Sequence, residues 1–339
     1  MSKIFCNIKR YLAAAAIAAV AVAGLDSCSI INDDLPACPE GVVLRFVYDY
    51  NMEFANAFPA QVDCLTLLVS NEEGKIVTTV TETTSVLADE NYRMTIDLPA
   101  GHKYHFVAYG GLQCDKASFH FVNTPTAGSS ASAVEVAMND DCIDANPGVD
   151  LHPLFYGDLD LTVPKGALDY TEGTVYMLRD TNSIRILLQN VDGTPVDVND
   201  FEFTITADNS LMAADNSLIP TASGITYSPW AKGQNTAGMV EGGEEAVLAF
   251  AEFSVGRLIA GHDVTLTVTD KLNDQTVLRI PLINYLLLLK SQHYQSMVGQ
   301  EYLDRENHWD MVLFLSNGQW IDTRIVINDW TVRLNHEEF

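Results

Sequence analysis

Apolar and polar residues alternate over many short stretches of this chain, which is the period-two pattern of strands with one buried face. In residues 42–49 the even-numbered positions are all apolar or aromatic, whereas Arg45 and Asp49 occupy odd-numbered ones. Turn-forming residues separate the stretches, as in the segment 124–130, which contains proline, glycine and serine. The pattern predicts an all-β protein of the sandwich type.

The predicted strands fall into two series. The first series is 42–49, 65–69, 92–98, 104–109 and 134–138; the second is 175–178, 184–188, 201–206, 247–253, 264–269, 277–280, 311–315 and 325–334. Residues 207–243 form either a surface loop or a pair of weak strands, and 282–298 is helical unless 286–289 is a buried strand. Because 339 residues usually divide into two domains, we expect an N-terminal domain at 41–165 and a C-terminal domain at 166–339.

Residues 1–27 have the features of a secretory signal peptide. A basic start precedes an apolar run at 12–25, which is shorter than the ~20 residues of a membrane-spanning helix. The run ends at Leu25-Asp26-Ser27-Cys28, which resembles the lipobox of bacterial lipoproteins except for its aspartate.

Two interpretations of the end of the signal peptide remain open. If the lipobox is used, Cys28 is acylated and residues 28–40 form a lipidated linker to the first domain, which is the outcome we expect. Ala21-Val22-Ala23 offers an ordinary cleavage site instead, and Cys28 would then be a free thiol or a disulfide partner.

The chain is strongly acidic. Its 45 acidic and 19 basic residues give a formal net charge of −26, and the acidic residues are spread along the sequence. Such a surface repels nucleic acid and favours solubility, so a nucleic-acid-binding function is excluded.

Export would place four further cysteines in a compartment that permits disulfides. These are Cys38, Cys64, Cys114 and Cys142, which allow three complete pairings. Nearness in the sequence favours Cys38 with Cys64 and Cys114 with Cys142. The alternative is four buried free thiols.

No constellation for metal binding is evident. His102 and His105 are three residues apart on a predicted strand, so their side chains point to opposite faces. The other histidines are scattered singly: His120, His152, His262, His293, His308 and His336. None of the ligand spacings known for zinc occurs, and we expect no metal site.

The acidic residues likewise suggest no catalysis. In residues 140–146 oxygen ligands alternate, but Ala145 and Leu151 stand where a calcium loop needs glycine and glutamate. Asp158 and Asp160 are a carboxylate pair of the kind that occurs by chance in an acidic chain. Nucleophile elbows, Walker loops and dinucleotide-binding glycine patterns are missing, so we expect neither enzymatic activity nor a cofactor.

Several long motifs resemble one known family. They are DLPACP at 34–39, LRFVYDYNMEFANAFPAQVDCLTLLV at 44–69, HPLFYGDL at 152–159, NYLLLLK at 284–290, QEYLDRE at 300–306 and INDWTVRLN at 327–335. In this order they resemble the FimB-type fimbrial anchor family, the base subunits of the type V fimbriae of Bacteroidales-type bacteria.

The resemblance implies two transthyretin-like β-sandwich domains in tandem after a lipoprotein signal peptide, with the lipid on Cys28. It implies a cell-surface protein of the outer membrane that attaches the fimbrial shaft and limits its growth, with shaft pilins as partners joined by strand addition. Trp330 would be a core aromatic of the last strand. The alternative function is a surface lipoprotein that binds glycans or host proteins, for which exposed aromatic side chains would be needed.

The resemblance also bears on the first strand. In related shaft subunits, cleavage after a basic residue removes this strand and opens a groove for a neighbour's strand. A cut after Arg45 would sever an anchor from its lipid. We therefore expect residues 42–49 to stay paired and Arg45 to be inaccessible to protease, with the joint to the shaft formed by residues 325–334.

The lipid interpretation predicts a change in fractionation. One acyl chain gives marginal membrane binding at ~0.8 kcal/mol per buried CH₂, so stable attachment needs the two or three chains of a bacterial lipoprotein. Cys28→Ala should move the protein from the membrane fraction to the soluble fraction, as followed by immunoblotting. Retention of the variant in the membrane fraction would show that the anchor lies elsewhere.

Overall fold

The computed structural model describes residues 40–221, 224–239, 245–316, 319–327 and 330–334. The predicted signal peptide, Cys28 and Cys38 lie outside these residues. The described chain forms twenty strands and three α-helices. The strands are β1 (Gly41–Val47), β2 (Leu65–Ser70), β3 (Ile76–Glu82), β4 (Met94–Asp97), β5 (His102–Gly110), β6 (Phe119–Phe121), β7 (Glu135–Met138), β8 (Phe155–Val163), β9 (Thr171–Arg179), β10 (Thr181–Asn190), β11 (Phe201–Ala207), β12 (Leu211–Ala213), β13 (Ile225–Tyr227), β14 (Ala231–Met239), β15 (Glu245–Gly256), β16 (Thr265–Asp270), β17 (Gln275–Pro281), β18 (His308–Ser316), β19 (Gln319–Ile327) and β20 (Trp330–Leu334). The helices are α1 (Phe58–Gln61), α2 (Leu282–Leu288) and α3 (Gly299–Arg305).

The N-terminal unit contains a seven-stranded sheet of order β3-β2-β5-β8-β9-β1-β4. All six residues of β2 are buried, because both faces of the middle of this sheet are covered. Leu65, Leu67 and Val69 pack into one apolar cluster together with Phe58 of α1. Leu68 points the other way, into a cluster shared with the three-stranded sheet β12-β7-β6.

The C-terminal unit is a sandwich of two sheets. One has the order β14-β15-β10-β18-β19-β20 and the other the order β13-β11-β16-β17. Side chains of β10 and β11, among them Ile186 and Ile205, are fully buried and belong to the same apolar cluster. The prediction of an all-β sandwich protein is therefore confirmed.

The two units begin with the same arrangement of three strands. In the first, β1 lies between β4, which is antiparallel to it, and β9, which is parallel to it. In the second, β10 lies between the antiparallel β15 and the parallel β18. The first strand of each unit is thus an interior strand, paired along both edges. This structural repeat has no counterpart in the sequence pattern.

The expected boundary between residues 165 and 166 does not coincide with a boundary of the sheets. Strand β9 lies beyond that point in the sequence, yet it pairs with β8 and β1 of the first sheet. Strand β12 from the second half pairs with β7 of the first half. We propose a boundary at Asp180, between β9 and β10.

The larger apolar cluster crosses this boundary. It contains Leu68 and Tyr156 from the first unit and Phe203 and Trp309 from the second. Our expectation that each unit would have a separate core is wrong for this cluster, because the small sheet containing β12 bridges the two units.

Some strands escaped the sequence pattern. The predicted strands omit β8, although Asp158, Asp160 and Thr162 alternate there with apolar residues and only Gly157 departs from the apolar face. The glycine is needed there, since a Cβ atom at position 157 would lie 2.5 Å from the backbone oxygen of Tyr176 in the next strand. Strand β3 is a threonine-rich edge strand, and the stretch 207–243 contains β12, β13 and β14.

Two predicted segments near the C-terminus differ from the structure in form. The stretch 325–334 was taken as one strand, but β19 ends at Ile327 and β20 begins at Trp330, antiparallel to it. Of the stretch 282–298, Leu282–Leu288 is α-helical, so the strand alternative at 286–289 is wrong. Among the described residues no helix is long and apolar enough to cross a membrane.

Cleavage between β8 and β9 tests the assignment of β9. A site for a specific protease inserted at Gly166, in the exposed turn between these strands, should be cut without separating the two fragments. Strand β9 of the second fragment remains inserted between β8 and β1 of the first, so the fragments should co-elute in native gel filtration. Elution of a folded first fragment on its own would contradict this topology.

Candidate functional site

The two units meet where the loop after β1 contacts α3. Side chains hold the shape of this loop. The amide of Asn51 donates to the backbone oxygens of Tyr48 at 3.1 Å and Ala55 at 2.8 Å. The side-chain oxygen of Asn56 accepts from the backbone N–H of Tyr48 at 3.0 Å. The loop therefore presents fixed side chains to the second unit.

Arg305, the last residue of α3, lies against two aromatic rings of that loop. The central carbon of its guanidinium group is 4.0 Å from the ring centroid of Tyr50 and 4.8 Å from that of Phe54. Its Nε donates to Glu301 Oε1 at 2.9 Å, one turn earlier on the helix. Cation–π contacts, such as those of Arg305 with the two rings, contribute about 0.5–2 kcal/mol each, and more as the cation loses water.

Hydrogen bonds on the other side of α3 complete the joint. The amide of Asn307 donates to the hydroxyl of Tyr48 at 2.8 Å. The Tyr48 ring in turn packs edge-on against Phe155 at 5.1 Å. Trp309 is 1% exposed, and its indole N–H donates to Asn182 Oδ1 at 3.2 Å. The joint thus combines aromatic packing with hydrogen-bonded polar groups, which fixes its geometry.

A buried charge network lies beside this joint. The guanidinium of Arg257 donates from Nε and Nη2 to the two carboxylate oxygens of Asp304, both at 3.0 Å. Its Nη1 donates to the backbone oxygen of Asn216 at 2.7 Å. Gln300 Nε2 donates to Asp304 Oδ1 at 2.8 Å. Such bidentate pairing compensates part of the cost of removing these charges from water.

Asp180 is the residue at which the chain passes from the first unit to the second. Its Oδ1 accepts from Asn216 Nδ2 at 3.0 Å and lies 3.5 Å from Arg257 Nε. Its Oδ2 has no hydrogen-bond partner among the described residues. Burial raises the pKa of Asp180, because it penalises the carboxylate more than Arg257 and Asn216 stabilise it.

Glu306 follows α3 and is 3% exposed. Its Oε1 accepts from the backbone N–H of His308 at 3.2 Å. Burial raises the pKa of Glu306 to about 7, and the nearby charge of Glu53 raises it further. Burial lowers the pKa of His308. The joint therefore contains carboxyl groups that titrate near neutral pH.

Several matched motifs converge here. The segment 48–54 belongs to the motif at 44–69, and Gln300, Asp304, Arg305 and Glu306 belong to the motif at 300–306. Sequence reasoning gave these residues no role, because about 250 positions separate the two motifs. The only hint in the sequence was that each of the two family motifs contains charged or aromatic residues.

The predicted first strand, 42–49, is an interior strand that ends at Val47, with Val42–Val47 paired to β9 and Gly41–Leu44 paired to β4. Val42, Leu44 and Phe46 are buried. The side chain of Arg45 is exposed, whereas its neighbours Leu44 and Phe46 are buried. Its backbone pairs with Thr174 of β9, and the pairing with β4 ends one residue earlier, at Leu44 opposite Met94. Protection of this position thus comes from main-chain pairing.

The predicted joint segment 325–334 contains an edge strand. Strand β20 is the last of the six-stranded sheet and pairs with β19, with Val326 opposite Thr331 and Ile325 opposite Val332. Strand β14 is the opposite edge of the same sheet, and its pairing with β15 is irregular between Thr236 and Met239. The side chain of Trp330 lies outside the described residues.

The cysteine pairing predicted from nearness is wrong. A disulfide joins Cys64 to Cys114, because β2 and β5 are antiparallel neighbours with Leu65 opposite Gly110. Cys142 is a buried free thiol whose pKa is raised by burial. The predicted partner of Cys64, Cys38, lies outside the described residues.

The other candidate residues have structural partners. His105 Nδ1 and Lys103 Nζ contact the Asp160 carboxylate at 2.9 and 2.8 Å, and these hydrogen bonds lower the pKa of Asp160. The Asp144 carboxylate accepts from the backbone N–H of Thr226 at 2.6 Å. His152 Nε2 lies 3.0 Å from Asp63 Oδ1 and 3.6 Å from Cys114 Sγ, a grouping that sequence reasoning missed.

The raised pKa of Glu306 predicts that the stability of the protein depends on pH. Its pKa of about 7 in the folded protein exceeds the ordinary value of 4.5, so its contribution is fully present below pH 4.5 and is lost as the pH rises through 7. The free energy of unfolding should therefore fall, by up to about 3 kcal/mol for this group, between about pH 5 and pH 8. Glu306→Gln should reduce this fall in urea titrations, whereas Glu73→Gln at an exposed position should not. An unchanged pH dependence in Glu306→Gln would contradict the assignment.

Comparison with known proteins places these features in a family. The sequence profile of the fimbrillin-A associated anchor proteins Mfa1 and Mfa2 matches residues 35–336. A candidate adhesin from Bacteroides thetaiotaomicron is 50% identical, with 89% of this chain and 100% of that chain covered and a TM-score of 0.83. A candidate polysaccharide-binding protein from the same organism is 29% identical, with 87% and 98% covered and a TM-score of 0.75.

A more distant relative has the same fold. The fimbrial anchor protein Mfa2 from Porphyromonas gingivalis is 19% identical, with 87% of this chain and 99% of that chain covered and a TM-score of 0.63. The comparison with curated proteins finds no match. The fimbrial-anchor resemblance seen in the sequence motifs is confirmed, and the chain belongs to the family of fimbrillin-A associated anchor proteins.

Proposed function

We propose that this protein is a lipoprotein that anchors a fimbria at its base in the outer membrane, with the acylated Cys28 as its tether and a pilin joined to it by strand addition. The observation that carries the proposal is the pairing of β1 with β4 and β9 along its two edges. Family membership and the anchor named among the similar structures support the same role.

An anchor must keep its first strand, because everything after that strand would otherwise be separated from the lipid. A protease needs several residues in an extended, unpaired form. Here the backbone from Val42 to Val47 pairs with β9, that from Gly41 to Leu44 also pairs with β4, and alternate side chains lie in the core. Cleavage after Arg45 would first require the strand to leave the interior of the sheet, which exposes Val42, Leu44 and Phe46 at about 1.5–3 kcal/mol each.

Retention of β1 would also explain why growth of the fimbrial shaft ends at this subunit. A shaft subunit that loses its first strand opens a groove for the next subunit. Because β1 stays in place, this unit offers no such groove, and the shaft would stop here. The remaining way to attach a pilin is through a free edge, where main-chain pairing supplies affinity and alternating side-chain contacts supply specificity. We assign this role to β20.

The joint between the units would carry the load. The tether lies before β1, and the proposed pilin contact lies at β20, so tension on the shaft passes from one unit to the other. The contacts of Arg305 with Tyr50 and Phe54 and the hydrogen bond from Asn307 to Tyr48 join the units beside this path. Both kinds of contact are directional and resist sliding and separation.

Glycan or host-protein binding is the second candidate, favoured by the similarity to a candidate polysaccharide-binding protein. A groove of about 580 Å³ is lined by Lys103, His105 and Asp160. Two tyrosines also line it, but Tyr104 and Tyr156 are only 4% and 7% exposed, so their ring faces are covered. Trp309 is buried as well. These aromatic side chains do not offer the open faces that stacking on sugars requires. Exposed aromatic side chains occur at Phe54, Tyr176 and Trp230, but they do not line this groove, and the anchor function is supported better.

The mature N-terminus tests the proposal directly. Protein recovered from the outer membrane should begin at an acylated Cys28 and retain residues 42–49 when examined by mass spectrometry. A mature N-terminus at Phe46 would make this a polymerising pilin and overturn the anchor assignment. An unmodified N-terminus at Gly24 would remove the lipid tether.

Adjacent prolines test the proposed joint at β20. In an antiparallel edge strand, the N–H groups of Thr331 and Val332 point to opposite sides, one toward β19 and one outward. The proline that removes the outward N–H should leave the protein folded and release the shaft into the medium. The outward member of the matched pair Lys232→Pro and Gly233→Pro on β14 should leave the shaft attached. Shaft retention in both β20 variants would place the joint on another edge.

A further inference from the structure

Four side chains from three separate segments converge beside the disulfide of the first unit. Asp63 and Cys64 precede β2, Cys114 follows β5, and His152 precedes β8. One donor atom of each lies within 4.8 Å of the other three. His152 Nε2 is 3.0 Å from Asp63 Oδ1 and 3.6 Å from Cys114 Sγ. Two sulfurs, one imidazole nitrogen and one carboxylate oxygen thus share a single small volume.

The backbone holds these donors in place independently of the disulfide. The N–H of Gly111 donates to the backbone oxygen of Cys64 at 3.0 Å, which closes the end of the β2–β5 pair. Gly111 has a φ of +80°, and a Cβ atom there would lie 1.9 Å from the backbone oxygen of Pro153. The segment of His152 can therefore approach closely, and Ser118 Oγ fixes it by accepting from the His152 N–H at 2.8 Å.

The geometry is close to that of a tetrahedral zinc site. Zn–N distances of about 2.0 Å and Zn–S distances of about 2.3 Å place neighbouring donors about 3.3–3.8 Å apart. The His152–Asp63 and His152–Cys114 separations of 3.0 and 3.6 Å lie near this range. The two sulfurs are bonded to each other in the structure, so they become ligands only after reduction.

We propose that the reduced protein binds one zinc-class divalent cation through Asp63, Cys64, Cys114 and His152, so that disulfide and metal are alternative cross-links of the same loops. A dithiol or phosphine reductant supplies two electrons, which break the S–S bond and yield two thiols while the reductant is oxidised. Binding of the cation then releases the two thiol protons. His152 gives up the Nε2 proton that it directs at Asp63 Oδ1 and keeps or gains one on Nδ1.

The differing exposure of Cys64, His152 and Asp63 defines a path by which the cation could enter. Cys64 is 1% exposed and lies at the bottom of the cluster. The side chain of His152 is 15% exposed, and that of Asp63 is 61% exposed. A cation from solvent would meet the Asp63 carboxylate first and then reach the thiolates behind it. An anionic oxygen at the entrance and two thiolates within favour a borderline-soft cation over calcium or magnesium.

The competing explanation is a surface His–Asp pair beside a structural disulfide. Such a pair contributes little to stability and binds no metal. Cobalt(II) distinguishes the two, because tetrahedral thiolate ligation gives intense visible bands and a charge-transfer band in the near ultraviolet. A background variant with alanine at Cys6, Cys28, Cys38 and Cys142 leaves only the two thiols of the site.

The experiment titrates cobalt(II) into this background variant, with and without prior reduction by a phosphine. The reduced protein should bind one equivalent with tetrahedral thiolate bands, zinc should displace the cobalt, and the oxidised protein should give no bands. His152→Ala and Asp63→Asn should weaken binding at least roughly tenfold, the range seen when groups around a metal are lost. His120→Ala, at an exposed histidine outside the cluster, should not.

Circular dichroism of each reduced variant confirms that it remains folded, and Asp63→Asn is the decisive one because its exposed side chain is not needed for packing. The absence of tetrahedral bands in the reduced, folded background variant would overturn the proposal. Binding unaffected by both Asp63→Asn and His152→Ala would overturn it as well.

Discussion

The placement of Arg305 against Tyr50 and Phe54 is the interaction on which the relation between the two halves of this protein depends. The cation comes from the end of α3, and the rings come from the loop after β1. A planar guanidinium can lie against aromatic faces and still donate to Glu301, which a lysine ammonium cannot reproduce with the same geometry. The adjoining hydrogen bond from Asn307 to the hydroxyl of Tyr48 adds a second contact between the units. Within the second unit, the bidentate, largely buried pair of Arg257 and Asp304 holds α3 in place.

This coupling gives the family function a physical basis. A base subunit has to withstand separation between its membrane tether and the shaft. A core that continues from Leu68 and Tyr156 to Phe203, bridged by the small sheet, resists separation through apolar burial. The charged and aromatic contacts of the joint are directional, so they also resist sliding of one unit against the other. The interior position of β1 completes the arrangement, because the strand nearest the tether cannot be peeled away without breaking pairing on both of its edges.

The sequence was informative where side chains alternate and uninformative where contacts are distant. Residues 42–47 of the predicted strand 42–49 form β1, whose alternate side chains are buried, and 65–69 form most of β2, whose residues are buried on both faces. Strand β8 also alternates, apart from a glycine that the close approach of the Tyr176 backbone requires, so the pattern alone could have identified it. The Cys64–Cys114 bond follows from β2–β5 pairing, which nearness in the sequence cannot reveal. For the same reason the motifs at 44–69 and 300–306 identified the family but not the joint that they form.

A double-mutant cycle on Tyr50 and Arg305 tests the central claim most directly. The free energy of unfolding in urea would be measured for the wild type, Tyr50→Leu, Arg305→Ala and the double variant, with Arg279→Ala at an exposed position as the control. If the joint couples the two units, the effects should be non-additive by about 0.5–2 kcal/mol, with the control within about 0.5 kcal/mol of wild type. Additive effects, with no coupling between residues from opposite units, would contradict the account.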